Sequence, residues 1–256
     1  MALASEAGHW YDRDGNPVYE VPRADGKGMR PATLADARKL NLYPGVTGII
    51  NCAAKPGLER WKVIQGILSA LTLPKIEGEP LDAFAERAMK DSQEQARKAA
   101  EKGTAIHAAI EKYYSRVSEA LDVDMAEKYV FPVADAIYVR FKVSVDAWSA
   151  EKSFVSDWGY GCKVDLVSPE VIIDFKTKEF SDMTKKLAWD EHAMQLAANR
   201  IATGYLTAKC ANVFVSTSVP GLVHIHEWDE TELFNALAKF QALLAYWQAD
   251  KKYRPQ

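Results

Sequence analysis

The chain has 256 residues, of which 48% are hydrophobic and 26% are charged, and 32 basic against 35 acidic side chains give a net charge of −3. This composition excludes a disordered or fibrous protein, and the small negative charge excludes binding to polyanions by bulk charge alone. Three cysteines, Cys52, Cys162 and Cys210, are too few and too scattered for a disulfide framework, a zinc site or a four-cysteine iron–sulfur cluster. The sequence has no apolar run long enough to span a membrane, so we expect a soluble intracellular protein.

The first half of the chain predicts a short hairpin followed by helices. Turn signals interrupt aromatic and β-branched stretches between residues 10 and 30. An amphipathic helix that ends before Pro74 is predicted from apolar residues at three- and four-residue spacing: Leu58, Trp61, Ile64, Leu68 and Leu71. Almost forty residues of helical character follow, with an interruption at Gly103, and another helix is expected over about 132–147.

From about residue 149 the sequence changes to short β-type stretches. The segments EKSFVSDW, GYGCKVDLVS and VIIDFKTK predict a three-stranded meander, which is followed by a helix over about 182–204. Two further strands, around NVFVST and LVHIHEW, precede a last helix over about 230–249. The order predicts an α/β protein with one sheet. We expect a single domain over 1–256, with a mainly helical part at 1–148 and the sheet with its flanking helices at 149–256.

Two acidic residues of the meander face each other if the strands pair through a tight turn. With a two-residue turn at 169–170, Asp165 lies directly across from Asp174. Like charges about 5 Å apart on neighbouring strands destabilise a sheet, so the pair requires a compensating cation. Hard carboxylate oxygens at this spacing suit Mg²⁺ or Mn²⁺. The register therefore predicts a metal site.

Period-two alternation assigns the meander residues to two faces. One face carries a mixed set: Lys163, Asp165, Val167, Ile172, Asp174 and Lys176. The opposite face is expected to be the core face, with an apolar set: Val164, Leu166, Val171, Ile173 and Phe175. An alternative remains open at this point, because Lys163 and Lys176 are placed to neutralise the two aspartates as a charge lattice without metal.

Two helices carry further polar candidates. His107 and Glu111 are four residues apart and share a helical face, where both reach a metal or simply form an i,i+4 pair. On the helix after the meander, a polar stripe consists of His192, Gln195 and Asn199. Such a stripe usually faces solvent.

Taken together, these elements resemble a known enzyme family. GTAIH at 103–107, Asp165 in GCKVDLV, Asp174-x-Lys176 in VIIDFKTK and Gln195 on the next helix resemble the motif series of RecB-like PD-(D/E)XK nucleases. The chain is most similar to phage-encoded exonucleases related to the mitochondrial genome-maintenance exonuclease, because YPGVTGII, GLERW and WYDRDGNPVYEVP also match. The resemblance implies a restriction-endonuclease-like α/β core with a central mixed sheet flanked by helices and an N-terminal helical subdomain.

The resemblance also implies roles for individual residues. Asp165 and Asp174 correspond to carboxylate ligands of one or two Mg²⁺ or Mn²⁺ ions, with His107 and the backbone carbonyl of Phe175 as further ligands. Lys176 corresponds to the group that orients or activates the attacking water. Gln195 corresponds to a residue that positions the site or the substrate backbone. Glu151 and Glu111 are expected next to the ligands without contacting the metal themselves.

Two positions depart from the family pattern. Asp174 stands where glutamate is commoner, which the motif tolerates, and Asn199 stands where many RecB-like members carry tyrosine. The resemblance therefore implies no tyrosine contact to the substrate at position 199. Relatives with an iron–sulfur cluster use four cysteines, so no cluster is expected in this chain.

DNA binding requires local positive charge near the predicted site. Candidate DNA contacts are Arg97, Thr104, Lys163, Lys178, Lys185 and Lys186. Glutamates interleaved with the cations between 86 and 101 allow the alternative that this helix is an ordinary solvated surface.

The sequence therefore predicts a metal-dependent deoxyribonuclease, an exonuclease that acts on single-stranded DNA ends in phage recombination, replication or end processing. We expect it in the cytoplasm of a bacterial host, alongside phage recombination or replication proteins. Two alternatives remain. One is a non-catalytic DNA-binding scaffold with the nuclease fold, and the other is a sequence-specific endonuclease, which usually adds a base-reading element and dimerises.

Overall fold

The computed structural model describes residues 9–116, 121–184 and 186–256, with Gln95 described by its backbone alone. Its strands are β1 Trp10–Tyr11, β2 Glu20–Pro22, β3 Met29–Pro31, β4 Tyr43–Pro44, β5 Ser149–Ser156, β6 Tyr160–Val167, β7 Val171–Lys178, β8 Lys209–Ser216 and β9 Val223–Trp228. Its helices are α1 Leu34–Leu40, α2 Val46–Ile50, α3 Pro56–Thr72, α4 Leu81–Ser115, α5 Val123–Met125, α6 Phe131–Phe141, α7 Asp190–Thr203 and α8 Glu230–Lys251. Within these ranges, no helix combines the length and the apolar character needed to cross a bilayer.

Five strands form one mixed sheet in the order β5-β6-β7-β8-β9. Every neighbouring pair is antiparallel except β7 and β8, which run parallel and are connected through α7. Helices cover the sheet, with α7 in contact with β6, β7 and β8, and α4 in contact with β5 and β7. The predicted α/β class and the mixed sheet flanked by helices are confirmed.

Both faces of the central strands are buried. Ile172 packs in a core with Leu196 of α7 and Phe240 of α8, whereas Ile173 packs in a second core with Ile106 of α4. The prediction of a single core face in the meander is therefore wrong. A strand in the middle of a sheet that carries helices on both sides is apolar on both faces, as in doubly covered α/β sheets.

The alternation of side chains also breaks at one point. Val164 packs in the first core, whereas Leu166 packs in the second, although the period-two pattern assigned them to the same face. Pairing between β5 and β6 skips the level of Asp165, where Glu151 has a left-handed φ of 52°. This local irregularity resets which face each side chain occupies.

The helical first half also departs from expectation in places. The predicted hairpin is present as β2 and β3. However, α4 continues through Gly103 without interruption, because this buried glycine packs against β7 and a methyl group there would collide with Thr177 Oγ1. The helix expected over 132–147 ends at Phe141, where Lys142 adopts the left-handed conformation and terminates it.

The helix predicted over 182–204 is shorter than expected. It begins at Asp190, because Asp182 accepts the backbone N–H of Thr184 and holds a turn instead of a helix. The amphipathic α3 forms as predicted, but its apolar side chains are exposed.

Candidate active site

Two aspartates meet where β6 and β7 separate. The strands pair through Leu166↔Ile173 and Val167↔Ile172, a register that places Asp165 across from Asp174. At this level the Asp165 side chain takes the place of a backbone partner, since its Oδ2 accepts the N–H of Phe175 at 2.7 Å. The register predicted from a turn at 169–170 is confirmed.

Asp174 lies at the centre of a polar network. It is 2% exposed, and both of its carboxylate oxygens accept hydrogen bonds from side chains. Lys176 Nζ lies 2.9 Å from Oδ1 and 2.8 Å from Oδ2, Gln195 Nε2 donates to Oδ1 at 2.8 Å, and Asn212 Nδ2 donates to Oδ2 at 2.7 Å. Gln195 Oε1 accepts from Lys176 Nζ at 3.2 Å, so these groups hold one another in place.

One lysine faces two carboxylates at the site. Burial raises the pKa of Asp165, and the negative charge of Asp174 raises it further. Burial alone would lower the pKa of Lys176, but the charges of Asp174 and Asp165 outweigh it and keep that pKa above its ordinary value. Lys176 is therefore a fixed cation at neutral pH, and two carboxylates share it.

Asn212 is a site residue that the sequence did not identify. It is fully buried on β8, directly paired with Asp174 across the parallel strands, and its Oδ1 accepts the indole N–H of Trp228 at 2.8 Å. A buried amide fits a sheet only if its hydrogen bonds are satisfied. The available signal was an asparagine inside the otherwise apolar stretch CANVFVS.

The predicted metal ligands come together only in part. In the described ranges, no three His, Cys, Asp or Glu side chains lie close enough to form a ligand group, so His107 does not join the two aspartates. Its ring instead packs edge-on against Phe175, with centroids 6.1 Å apart, and burial lowers its pKa. Glu151 forms an ion pair with Lys163, and burial together with the charge of Glu151 raises the pKa of Glu111.

The residues proposed to contact DNA differ in whether their side chains already have partners within the protein. Arg97 is exposed but pairs with glutamates on either side of it on α4, as the solvated-surface alternative anticipated. Thr104 donates to a carbonyl of its own helix at 3.0 Å. Lys178 donates to the carbonyl of Leu187 at 2.8 Å, and burial lowers its pKa. The remaining candidates are exposed Lys186, whose Nζ lies 4.9 Å from the centre of the Trp189 ring, and Lys185, which lies outside the described residues.

The polar stripe on α7 faces the protein interior, contrary to the solvent-facing interpretation. His192 and Asn199 are 6% and 1% exposed, and Gln195 between them reaches Asp174. Burial, reinforced by the charges of Lys178 and Lys176, lowers the pKa of His192 to about 3. The stripe is buried because α7 covers the sheet at the level of the site.

A cavity of about 220 Å³ opens beside the aspartates. Asp165, Gln195 and Asn199 line it on the side of the site, and residues from the first half of the chain line it as well, including Tyr11 of β1 and Thr47 of α2. The cavity gives a ligand access to the Asp165 side of the site.

Comparisons with known proteins add no assignment. No family model matches the chain, and no curated protein matches it. Among solved structures, the chain is similar to one described as "Crystal structure of SSO0001", with a TM-score of 0.30 and 13% identity over 73% of this chain and 86% of that one. A similarity at this level carries no argument about function.

Proposed function

We propose that the chain is a divalent-metal-dependent deoxyribonuclease with a RecB-like PD-(D/E)XK core that hydrolyses phosphodiester bonds at single-stranded DNA ends. The observation that carries this proposal is the pair of facing aspartates with Lys176 two residues after the second. Two carboxylates and a protonated amine at one strand end match the requirements of phosphodiester hydrolysis, which needs a bound cation, an oriented water and compensation of phosphate charge.

The donor chemistry fits Mg²⁺ or Mn²⁺. Two carboxylates face a single lysine, and burial together with the charge of Asp174 raises the pKa of Asp165. A cation with a preference for oxygen ligands would compensate the charge that Asp165 acquires when it loses its proton. Asp165 and Asp174 are the residues that would hold one or two ions, with the Phe175 carbonyl as the additional ligand that the family resemblance implies. His107, the other ligand of that resemblance, packs against Phe175 instead of joining the aspartates. A cation bound there supplies Lewis acidity and lowers the pKa of its bound water.

The surrounding residues supply positioning and charge. Lys176, protonated at neutral pH, donates hydrogen bonds to the attacking water or to a phosphate oxygen and offsets the negative charge of the phosphate. Gln195 fixes Lys176 and Asp174 relative to each other. Asn212 holds the far oxygen of Asp174 and is itself held by Trp228, so the carboxylate cannot rotate away.

Two lysines are the candidate contacts to a DNA backbone, although Lys163 is also ion-paired with Glu151. Lys163 lines the cavity beside Asp165, and Lys186 is exposed on the loop after β7. An exonuclease of this type suits end processing in phage recombination or replication, with the bacterial cytoplasm as its place of action. These assignments rest on the family resemblance stated above.

One observation favours a second candidate function, a DNA-binding scaffold without hydrolytic activity. Lys176 already lies within 3 Å of both Asp174 oxygens, so one aspartate of the pair is neutralised without a metal. An ion pair between Lys176 and Asp174 serves equally well to stabilise the fold of a protein that has no catalytic activity.

The decisive experiment measures hydrolysis of end-labelled linear single-stranded DNA, linear duplex and circular DNA in Mg²⁺, Mn²⁺ and EDTA. The test variant is Asp174→Asn, and the matched control is Asp25→Asn. Asp25 also stands two residues before a lysine, Lys27, but on an exposed turn. We expect metal-dependent loss of linear single strands with the wild type and the control, and none with Asp174→Asn.

The products separate the alternatives. Cleavage of circular DNA would indicate an endonuclease, and the fate of a label at either end gives the polarity of an exonuclease. Binding of single-stranded DNA without hydrolysis in any metal would contradict the proposal and support the scaffold.

A further inference from the structure

Helix α3 is packed with its apolar side outward. It lies against α4 through a small and polar surface, where Ser69 is 3% exposed and donates to Asp91 at 2.6 Å. At the same contact, a methyl group added to Gly66 would lie 3.4 Å from Met89 Sδ, so the two helices approach closely. This arrangement is the reverse of a core helix, whose apolar residues face its neighbours.

The opposite side of α3 carries the apolar residues. Four of them recur at spacings of three, four and three residues, and we call them the α3 seam: Trp61, Ile64, Leu68 and Leu71. They are 42–75% exposed. Leu58, Val63 and Ile67 beside the seam are exposed as well. This spacing is that of successive a and d positions in a coiled coil, which pack against another helix.

We infer that α3 is a self-association surface on which two copies of the chain pair through their α3 seams in antiparallel orientation. A second copy supplies an apolar helix of the same length and the same spacing. The inference is independent of the proposed function, because it depends on none of the residues of the candidate active site.

The available area supports a pair of copies. The four seam residues, with Leu58 and Ile67 at the flanking positions, contribute roughly 500 Å² per copy at about 80 Å² each, and therefore roughly 1,000 Å² in a pair. This is the lower bound for a specific interface, so we expect a reversible dimer with a dissociation constant in the micromolar range.

Charge selects the antiparallel orientation. Arg60 directly precedes the seam and is exposed. Parallel helices would place the two Arg60 side chains at the same end of the interface, whereas antiparallel helices place them at opposite ends. Antiparallel pairing also brings a-type positions opposite d-type positions, so Ile64 of one copy meets Leu68 of the other, and Trp61 meets Leu71.

The test uses sedimentation velocity of the full chain from about 1 to 200 µM. We expect the weight-average mass to rise from 28.5 kDa toward twice that value. Leu68→Glu and Ile64→Lys each place a charge in the seam and should weaken dimerisation by about tenfold or more. Phe234→Glu is the matched control, since Phe234 is an exposed apolar residue on α8, and it should dimerise as the wild type does.

Mixing the two seam variants tests the orientation. In an antiparallel pair, the introduced lysine of one variant meets the introduced glutamate of the other, while the unchanged Leu68 of the first meets the unchanged Ile64 of the second. The mixture should therefore dimerise more tightly than either variant does alone. Circular dichroism confirms that each variant keeps its helix content.

Two results would count against the inference. A wild type that stays monomeric at the highest concentration, or seam variants that dimerise as well as Phe234→Glu, would overturn self-association through α3. A mixture of the seam variants that dimerises no more tightly than either variant alone would overturn the antiparallel arrangement.

Discussion

Asn substitution of the two facing aspartates should change stability in opposite directions. Asp165→Asn removes one of two like charges while keeping an oxygen that accepts the N–H of Phe175. Asp174→Asn removes the charge that balances Lys176 and disturbs a carboxylate that accepts from three side chains. The same chemical change thus relieves repulsion between carboxylates at Asp165, whereas at Asp174 it leaves Lys176 without its ion-pair partner.

The magnitudes follow from the register. Two charges about 5 Å apart at an effective dielectric constant of about 20 repel by about 3 kcal/mol, and Lys176 offsets part of this repulsion. We therefore expect Asp165→Asn to raise the free energy of unfolding by about 1–2 kcal/mol in EDTA. Asp174→Asn should lower it by about 2–3 kcal/mol, because it leaves the partly buried Lys176 without its ion-pair partner.

The dependence on pH provides a second check. The pKa of Asp165 is higher in the folded protein than in the unfolded chain. The folded protein therefore favours protonated Asp165. The contribution of Asp165 to stability is fully present below its pKa in the unfolded chain, about 4, and is lost as the pH rises through its pKa in the folded protein. The advantage of Asp165→Asn should be larger at about pH 8 than at about pH 5.

The assay is urea unfolding followed by tryptophan fluorescence in EDTA, with Asp25→Asn as the control for an exposed aspartate. Both site variants should lose hydrolysis under the proposed function, so only stability distinguishes them. A destabilised Asp165→Asn, or equal shifts for the two variants, would refute the electrostatic description of the pair.

Three further outcomes are expected. Lys176→Met should abolish hydrolysis while single-stranded DNA binding, measured by fluorescence anisotropy, falls by less than about threefold, because one phosphate contact is a small share of backbone affinity. Asn212→Leu should lower the free energy of unfolding by about 2–4 kcal/mol in urea titrations, since Asp174 loses a donor and the Trp228 indole N–H is left buried without its acceptor. Gly103→Ala should destabilise the protein by about 1–3 kcal/mol through its collision with Thr177, whereas the same change combined with Thr177→Ala should cost less than the sum of the single changes in a double-mutant cycle.

Local patterns were sufficient to predict the order of the elements and the facing aspartates. The turn at 169–170 fixes the register of β6 and β7, and a register in an antiparallel pair can be counted directly from the turn. By contrast, the contact between Asp174 and Asn212 joins two parallel strands whose alignment depends on how α7 packs on the sheet. No count along the sequence gives that alignment.

Other errors have similar tertiary causes. The pattern of α3 predicted a helix correctly, but periodicity does not say whether an apolar side meets the same chain. Helix propensity alone predicts an interruption at Gly103. In the structure the helix continues, and the close approach of Thr177 leaves no room for a side chain at this position. The break in alternation at Asp165 lies opposite Glu151, whose φ is left-handed, and a glutamate gives no signal of that conformation.

The pairing of Asp174 with Asn212 also affects how faithfully the chain folds. Strands β7 and β8 are apolar on both faces, so sliding one past the other by two residues would keep apolar side chains in contact with apolar side chains. Such a slip would move Asp174 opposite Cys210 or Phe214, where a buried carboxylate meets no amide donor. Only the native alignment gives Asp174 its donor from Asn212, so the same hydrogen bond that orients Asp174 discriminates against misaligned sheets during folding.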